Sequence, residues 1–585
     1  MKSDILEHEY LKRAIILFFV IQFLFVFGQG VTIAQEIESI SLRNLRQHMD
    51  SIASDATEGR FTGSPGYRKA AQYAANVFRK AGLEPGYTDE NGEKSYFQPV
   101  PFVRKNYTST SLTIRKNGKD KIFYHSDGYF VVFNAGIQNK RIRMASPAFI
   151  GYGISEPEKG WDDYAGLDVK GKWVIVIDGV PPADANPAFP DCLRKQYADW
   201  KTRDSLRYEA LMKHKVAGLI ILPYKKEIDN WEGALLHSYR DYYCYLDDEM
   251  NGKETSDPVL PVILIGPELL KIFFDGQSFD PVNNKGDFHS YVLNNIKISV
   301  TVNCKKEQVN CHNVIAIVSG TDTTLRNEYL TVGAHLDHIG KFRDHVYNGA
   351  NDNASGCVII LEAAKAIALN PPKRPVLFIL YTAEELGMVG SKHFVKYPPI
   401  SSENILLNIN IEQIGSKNRD EAGIGGIGLL QFKESFYKAG KSIVDKNLKY
   451  DLIENCINDL KNSVDLWSFY KKGIPTVMIS SGGFMEHHTP QDKITLIDFE
   501  HLLKAAKLLH SFIMELGNEQ HSSVAPPSMN FSTLCNVNTK VHGCTPLHCA
   551  ARYSPPSKKV KITLLWPHTK ALVPAEGGYE FFVGI

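Results

Sequence analysis

The chain has 585 residues, too many for one hydrophobic core, so two or three domains are expected. Hydrophobic residues make up 43% and charged residues 22% of it, which is ordinary globular usage. The formal net charge of +1 gives no electrostatic case for nucleic acid or an acidic partner.

At the N-terminus, Lys12 and Arg13 precede an apolar run from Ala14 to Phe27, followed by Gly28, Gly30 and the step Thr32-Ile33-Ala34. Basic flank, short apolar run and small residues form a secretory signal pattern over residues 1–34. The run is shorter than the ~20 residues a membrane span needs. The expectation is an exported protein (periplasmic, secreted or cell-surface), which meets a membrane only through this segment if it stays uncleaved. Nine cysteines are scattered with no CxxC pair, which argues against a thiolate zinc site. Cys304 with Cys311, and Cys192 with Cys244, are candidate disulfides, with free thiols as the alternative.

Helical spacing covers Ser41 to Ala53 and again Tyr67 to Ala81, where Ala70, Ala71, Ala74, Ala75 and Phe78 form one face. Between them lies Thr57-Glu-Gly-Arg-Phe-Thr-Gly-Ser-Pro-Gly66, rich in turn formers. Phe97 to Val103 and Thr108 to Arg115 read as strands. From 127 to 297 the character changes. Short strands at Trp173–Asp178, Ala217–Leu222 and Pro261–Ile265 alternate with helix candidates at Ser205–His214 and Pro267–Phe274, and no cluster of chemical groups is evident. This interval reads as a small inserted domain.

From Asn313 the chain alternates. Strands are expected at Val314–Val318, Tyr329–Ala334, Val376–Tyr381, Ile405–Ile411 and Thr476–Ile479. Helices are expected at Gly356–Ala368, Ser391–Tyr397, Phe432–Asn447 and Phe499–Leu516. Strands alternating with helices argue for an α/β sheet with helices on both faces. The tail, 518–585, contains Thr545-Pro-Leu-His-Cys-Ala550, which looks like one ankyrin-repeat core. A single unit cannot bury its own hydrophobic face, so the tail is expected to be poorly ordered.

Five chemical clusters fall at or just after expected strand ends. They are His335 with Asp337, Asp352 in the loop Asn348–Gly356, Glu384-Glu385 after Tyr381, Glu412 after Ile411, and His487-His488 in the loop before Asp492. Residues two apart in a strand point to the same side, so His335 and Asp337 should project together. Each cluster alone has a plain structural reading; Asp352, for instance, could cap a helix. Together, mixed imidazole and carboxylate groups suit zinc. A carboxylate shared between two ions would make a two-metal site. Adjacent residues in an extended segment point opposite ways, so Glu384 and Glu385 should divide into one ligand and one base.

His335-Leu-Asp-His338, Gly349-Ala-Asn-Asp-Asn-Ala-Ser-Gly356, Thr382-Ala-Glu-Glu-Leu-Gly387, Ile411-Glu-Gln-Ile-Gly415 and His488-Thr-Pro-Gln-Asp492, in that order, resemble the di-zinc aminopeptidase family, which is related to glutamate carboxypeptidase II. The resemblance runs over roughly residues 40–515. It implies a zinc-exopeptidase-like α/β fold, with a mixed, mostly parallel sheet flanked by helices and a catalytic domain formed by 36–126 and 298–517. Gly151-Tyr-Gly153, Asp162-Asp-Tyr-Ala-Gly166 and Lys170-Gly-Lys172 resemble the small β-rich protease-associated domain often inserted in such enzymes, here at 127–297.

Carried over residue by residue, the resemblance implies two Zn2+ ions bridged by Asp352. His335 and Glu412 would complete one ion, Glu385 and His488 the other. Glu384 would be the general base, acting on a water between the ions, and Asp337 would hold the tautomer of His335. His338 and His487 have no ligand role in that pattern. Relatives often carry Asp at the position of Glu412. They also often carry Ser-Asp-His where this chain has Val464-Asp465-Leu466, which makes the substrate pocket less predictable. The implied activity is removal of N-terminal residues from peptides. Carboxypeptidase, dipeptidase and glutaminyl-cyclase-like activities, an inactive receptor-like binding protein, and an interaction protein working through the tail remain as alternatives. Oligomeric state is not legible.

Overall fold

The computed structural model describes residues 37–519, apart from 108, 135–139, 142–143, 184–185, 223–228, 230, 241–242, 246–259, 282–284, 287–288, 304, 416–422, 428–432, 442–448, 454–463 and 482–485. The expected signal segment and all of the tail beyond Glu519 lie outside the described residues. The described chain falls into two units. One combines residues up to Val100 with those from Asn310, and the other is Pro101–Val309.

In the first unit, helix α1 (Leu42–Ile52) starts where the Ser41 side chain accepts the Asn44 N–H, an N-cap that satisfies an orphan donor. It buries Leu45, His48, Met49 and Ile52, the one-face spacing of an amphipathic helix. Helix α2 (Pro65–Lys80) is capped by Ser64, with Pro65 in its first turn, a position where proline costs nothing. Further elements include β1 (Phe97–Asn106), β2 (Lys305–Val318), β3 (Tyr329–His335), α3 (Ser355–Leu369), β4 (Val376–Tyr381), α4 (Val389–Lys396), β5 (Ile405–Ile411), β6 (Gly423–Ile427), α5 (Lys433–Lys441), β7 (Lys449–Ile453), α6 (Leu466–Lys471), β8 (Thr476–Ser480) and α7 (Phe499–Asn518).

The strands form one sheet in the order β1-β2-β4-β3-β5-β8-β6-β7. The centre, β4, β3, β5 and β8, is parallel. β2 runs antiparallel to β4 and β6 antiparallel to β8. This is a mixed α/β fold. The central strands are almost wholly apolar because both faces are covered; every residue of β4 is buried. Helix α3 is also buried nearly all round and packs against α1, α7 and β3. The register sets His335 opposite Tyr381 and Ile411 opposite Ile479. The carboxyl ends of β3, β4, β5 and β8 therefore lie side by side, the edge where open α/β sheets bind ligands.

The second unit holds a six-stranded sheet whose parallel centre is Trp173–Ile177, Gly218–Leu222 and Val262–Ile265. A four-stranded antiparallel sheet and the helices Asp191–Ala198, Trp200–Lys213, Trp231–Arg240 and Pro267–Phe274 accompany it. Ser111–Lys116 pairs along its whole length with Ile296–Val302, so this unit extends beyond 127–297 on both sides. Asp163 joins two of the motifs singled out above. It accepts the N–H groups of Tyr152 and Ile154 and the Trp161 indole N–H.

Cys192, Cys311 and Cys357 are free thiols, so neither candidate disulfide forms. Buried Cys311 lies 3.1 Å from the Thr382 hydroxyl. Among the described residues no helix is long and apolar enough to cross a membrane.

Candidate metal centre

The five expected clusters meet at that sheet edge. His335 is the last residue of β3, and its Nε2 lies 3.3 Å from both Asp352 Oδ1 and Glu412 Oε1. Asp352 sits in the loop before α3, Glu412 directly after β5. On the other side of Asp352, its Oδ2 is 3.2 Å from His488 Nε2, which is 3.1 Å from Glu385 Oε2. His338 Nδ1 is 2.8 Å from Glu385 Oε1 and 3.7 Å from Asp352 Oδ2. The side chains thus form two groups of donor atoms, His335–Asp352–Glu412 and His338–Asp352–Glu385–His488, with Asp352 in both.

These groups fit zinc. Ligand distances of about 2.0–2.2 Å in a tetrahedron put neighbouring donors about 3.4 Å apart, and the separations above cluster around that value. A buried oxygen, Glu412 Oε2, has no hydrogen-bond partner, which a cation would relieve. Imidazole with carboxylate is a donor set zinc accepts.

The loops that carry the donors are tied down by hydrogen bonds. Asp492 accepts the N–H groups of Asn351 and Asp352. The Asn353 side chain donates to the Ile411 carbonyl and accepts from Gln413. Asn351 Oδ1 accepts from Gly415, and Ser355 Oγ from Ile414. The loop before α3 is thereby stitched to the end of β5.

Asp337 is placed differently from expectation. His335 Nδ1 meets the Asp337 main-chain carbonyl at 3.1 Å, whereas the carboxylate stands 4.0 Å away. That carboxylate instead accepts the N–H groups of Glu384 and Glu385 and the Thr62 hydroxyl. Strand β3 ends at His335, two residues before Asp337. The Asp337 carboxylate thus meets the main chain of both glutamates, and the Asp337 carbonyl is the nearer group to His335 Nδ1. The segment around Glu384 is a turn too, not an extended strand. Ala383 has a φ of 55°, and Gly387 and Met388 donate to the Glu384 carbonyl. Both glutamates therefore face the same site. Glu384 Oε2 lies 3.9 Å from His335 Nε2 and belongs to neither donor group.

The electrostatics reflect crowded acids. Burial pushes the Glu384 carboxyl well above its usual range, helped by Glu385, Asp465 and Glu412. Burial likewise raises Asp337 and Asp465 to about 7 and lifts Glu412. For His335, burial works downward. The carboxylates of Glu412 and Glu384 and contacts with Asp352 outweigh it, leaving the imidazole well above its ordinary value.

Two histidines carried no role in the sequence reading. His338 enters the second donor group, and its His335-x-x-His338 spacing was the available signal. His487 Nε2 lies 3.1 Å from Asp352 Oδ2 and its ring stacks on His488. His488 also reaches Glu385 and shares a donor group with it. Asp492 and Arg60, which hold the loops, were quoted within motifs but given no role.

Residues 313–513 match the model of Peptidase family M28, an interval that contains His335, Asp352, Glu384, Glu385, Glu412 and His488. Leucine aminopeptidase 1 of Ajellomyces dermatitidis is 31% identical over 223 residues, 35% of this chain and 55% of that protein. The chain spans about half the length of the curated relatives it matches. A solved aminopeptidase from Aneurinibacillus sp. strain AM-1 aligns with a TM-score of 0.51 at 19% identity, covering 83% of this chain and 96% of that one. A zinc aminopeptidase from Bacillus subtilis gives 0.50 at 18%, covering 83% and 97%. At these identities the likeness to the solved structures is one of fold.

Proposed function

We propose that the chain is a two-zinc aminopeptidase that removes N-terminal residues from peptides. One observation carries this reading: two donor groups share Asp352, and an acid outside both, Glu384, stands beside them. His335 and Glu412 would hold one ion with Asp352, and Glu385 and His488 the other. Zinc, when bound, supplies Lewis acidity that lowers the pKa of a water toward neutrality and polarises a carbonyl. Glu384 takes the proton of the attacking water and returns it to the leaving nitrogen. Asp337 keeps the Glu384 and Glu385 backbone in place through the two N–H groups it accepts. The M28 match and the aminopeptidase relatives support the peptide substrate. The N-terminal signal pattern supports export, and the motifs around Gly151 and Asp163 support a protease-associated role for Pro101–Val309.

The test combines a substrate panel with one variant. Aminoacyl chromogens should be cleaved, and N-blocked and C-terminal substrates should not; the reverse preference would reject the aminopeptidase reading. Glu384→Gln should retain about two zinc ions and lose about three orders of magnitude in kcat, within the range a positioned base contributes. Near-normal turnover would reject Glu384 as the base.

A further inference from the structure

His338 is wholly buried at the turn that follows β3. Its main-chain N–H goes to the Arg60 carbonyl at 3.3 Å. Gly349 closes one side of its ring so tightly that a Cβ there would come within 2.4 Å of the ring carbons Cδ2 and Cγ. Gly349 thus packs directly against the ring. Nδ1 lies 2.8 Å from Glu385 Oε1 and 3.7 Å from Asp352 Oδ2. Nε2, on the far side, is buried without a hydrogen-bond partner.

The ligand atoms of His338, Asp352, Glu385 and His488 all lie within 4.8 Å of one another. Separations among them of 2.8 to 3.7 Å bracket the roughly 3.4 Å edge of a zinc tetrahedron. The other group, His335, Asp352 and Glu412, offers three donors.

We propose that His338 is a fourth protein ligand, through Nδ1, to the ion held by Asp352, Glu385 and His488. This rests on the two-zinc reading above and deepens it, because it makes the two ions unequal. Four side chains close one ion. The other has three and keeps an open position, the distinction that separates structural from catalytic zinc. Glu384 stands beside the open one, near His335. The opposing arrangement has His338 donate Nδ1–H to Glu385 and orient it without touching metal.

X-ray absorption on the zinc-loaded full chain separates the two. Three histidine ligands over two ions give about 1.5 imidazoles per zinc, and the orienting role gives about 1.0. The expected result is the higher value, falling to the lower in His338→Ala. In the cobalt-substituted protein, the same variant should lose visible absorption as a four-coordinate ion admits water. Two zinc ions per chain with about one imidazole each, or a cobalt spectrum unchanged by the substitution, would overturn the assignment. The native measurement stands even if the variant folds poorly. Fewer than two zinc ions in the native chain would instead reject the underlying metal reading, and this assignment with it.

Discussion

Arg60 carries more of the site's architecture than its neighbours in sequence suggest. It is 0% exposed, and its guanidinium donates to the carbonyls of Leu336 at 2.7 Å, Ile52 at 3.1 Å, Asn348 at 2.5 Å and Gly349 at 2.9 Å. It thus joins the end of α1 to the loops that present His335, His338 and Asp352. The preceding Gly59 has a φ of +66°, and a Cβ there would come within 2.3 Å of the Tyr347 carbonyl; only glycine lets the turn approach so closely. Arg60→Met would leave several buried carbonyls without this donor, each costing about 1–3 kcal/mol. We expect urea denaturation to show a loss on the order of 3–5 kcal/mol, from several such carbonyls left without a donor. Arg60→Lys should not restore it, since one ammonium cannot span the fork of a guanidinium. A loss under 1 kcal/mol would show that the carbonyls find other donors. None of this was legible in Thr57–Gly66, which reads as a turn. The partners are main-chain groups some 280 residues away, and sequence carries no mark of them. His335 and Glu412 were legible because they fall at strand ends, and Asp352, Glu385 and His488 because they complete a chemically distinctive set.

The same contrast runs through the secondary structure. The central strands stand out because burial on both faces demands unbroken apolar runs, and β4 and β5 fall where those runs predict. β6, Gly-Ile-Gly-Gly-Ile, has no such density and becomes a strand by hydrogen bonding to β8. Asp191–Ala198 and Trp231–Arg240 likewise lack a clear apolar period. α7 is the opposite case. Asp498 caps it by accepting the His501 N–H, and its buried face packs on α3, α5 and α1. Within that face lies His510, 0% exposed, whose imidazole burial pulls down to about 4. The unfolded chain binds its proton near the ordinary value of about 6.5. As pH falls from 6.5 toward 4, the unfolded state gains a proton that the folded state refuses, so stability is lost across that window. At pH 5 the loss from this one group is about 2 kcal/mol. Denaturation at pH 7.5 and pH 5 should show His510→Leu losing less than the parent by about that amount. Equal losses in both chains would mean that α7 opens locally to let the proton in.

A buried acidic cluster has a consequence for the molecule's response to metal. Asp337, Asp352, Glu385, Glu412 and Asp465 are buried around one point, joined by Glu384, whose side chain is 12% exposed. Burial raises the carboxyls of Glu384, Glu412, Asp337 and Asp465, which records how poorly that place tolerates uncompensated negative charge. Cations that bind only the folded form add stability by mass action, about 2.7 kcal/mol at a hundredfold excess over Kd and about 4 at a thousandfold. Chelation should therefore lower Tm, and added zinc should restore it in step with concentration. The effect should also be local. Among the described residues, all donors belong to the unit that includes residues from Asn310 onward, and none to Pro101–Val309. Amide exchange after chelation should rise in Leu336–Asn353, in Glu384–Met388 and in Thr489–Asp492, whose hydrogen bonds hold the donors in place. Strands Trp173–Ile177, Gly218–Leu222 and Val262–Ile265 should keep their protection. A rise spread evenly over both units would mean that the metal stabilises the chain through some other set of groups. A Tm indifferent to zinc would mean that the side chains gathered at the sheet edge hold no ion at all.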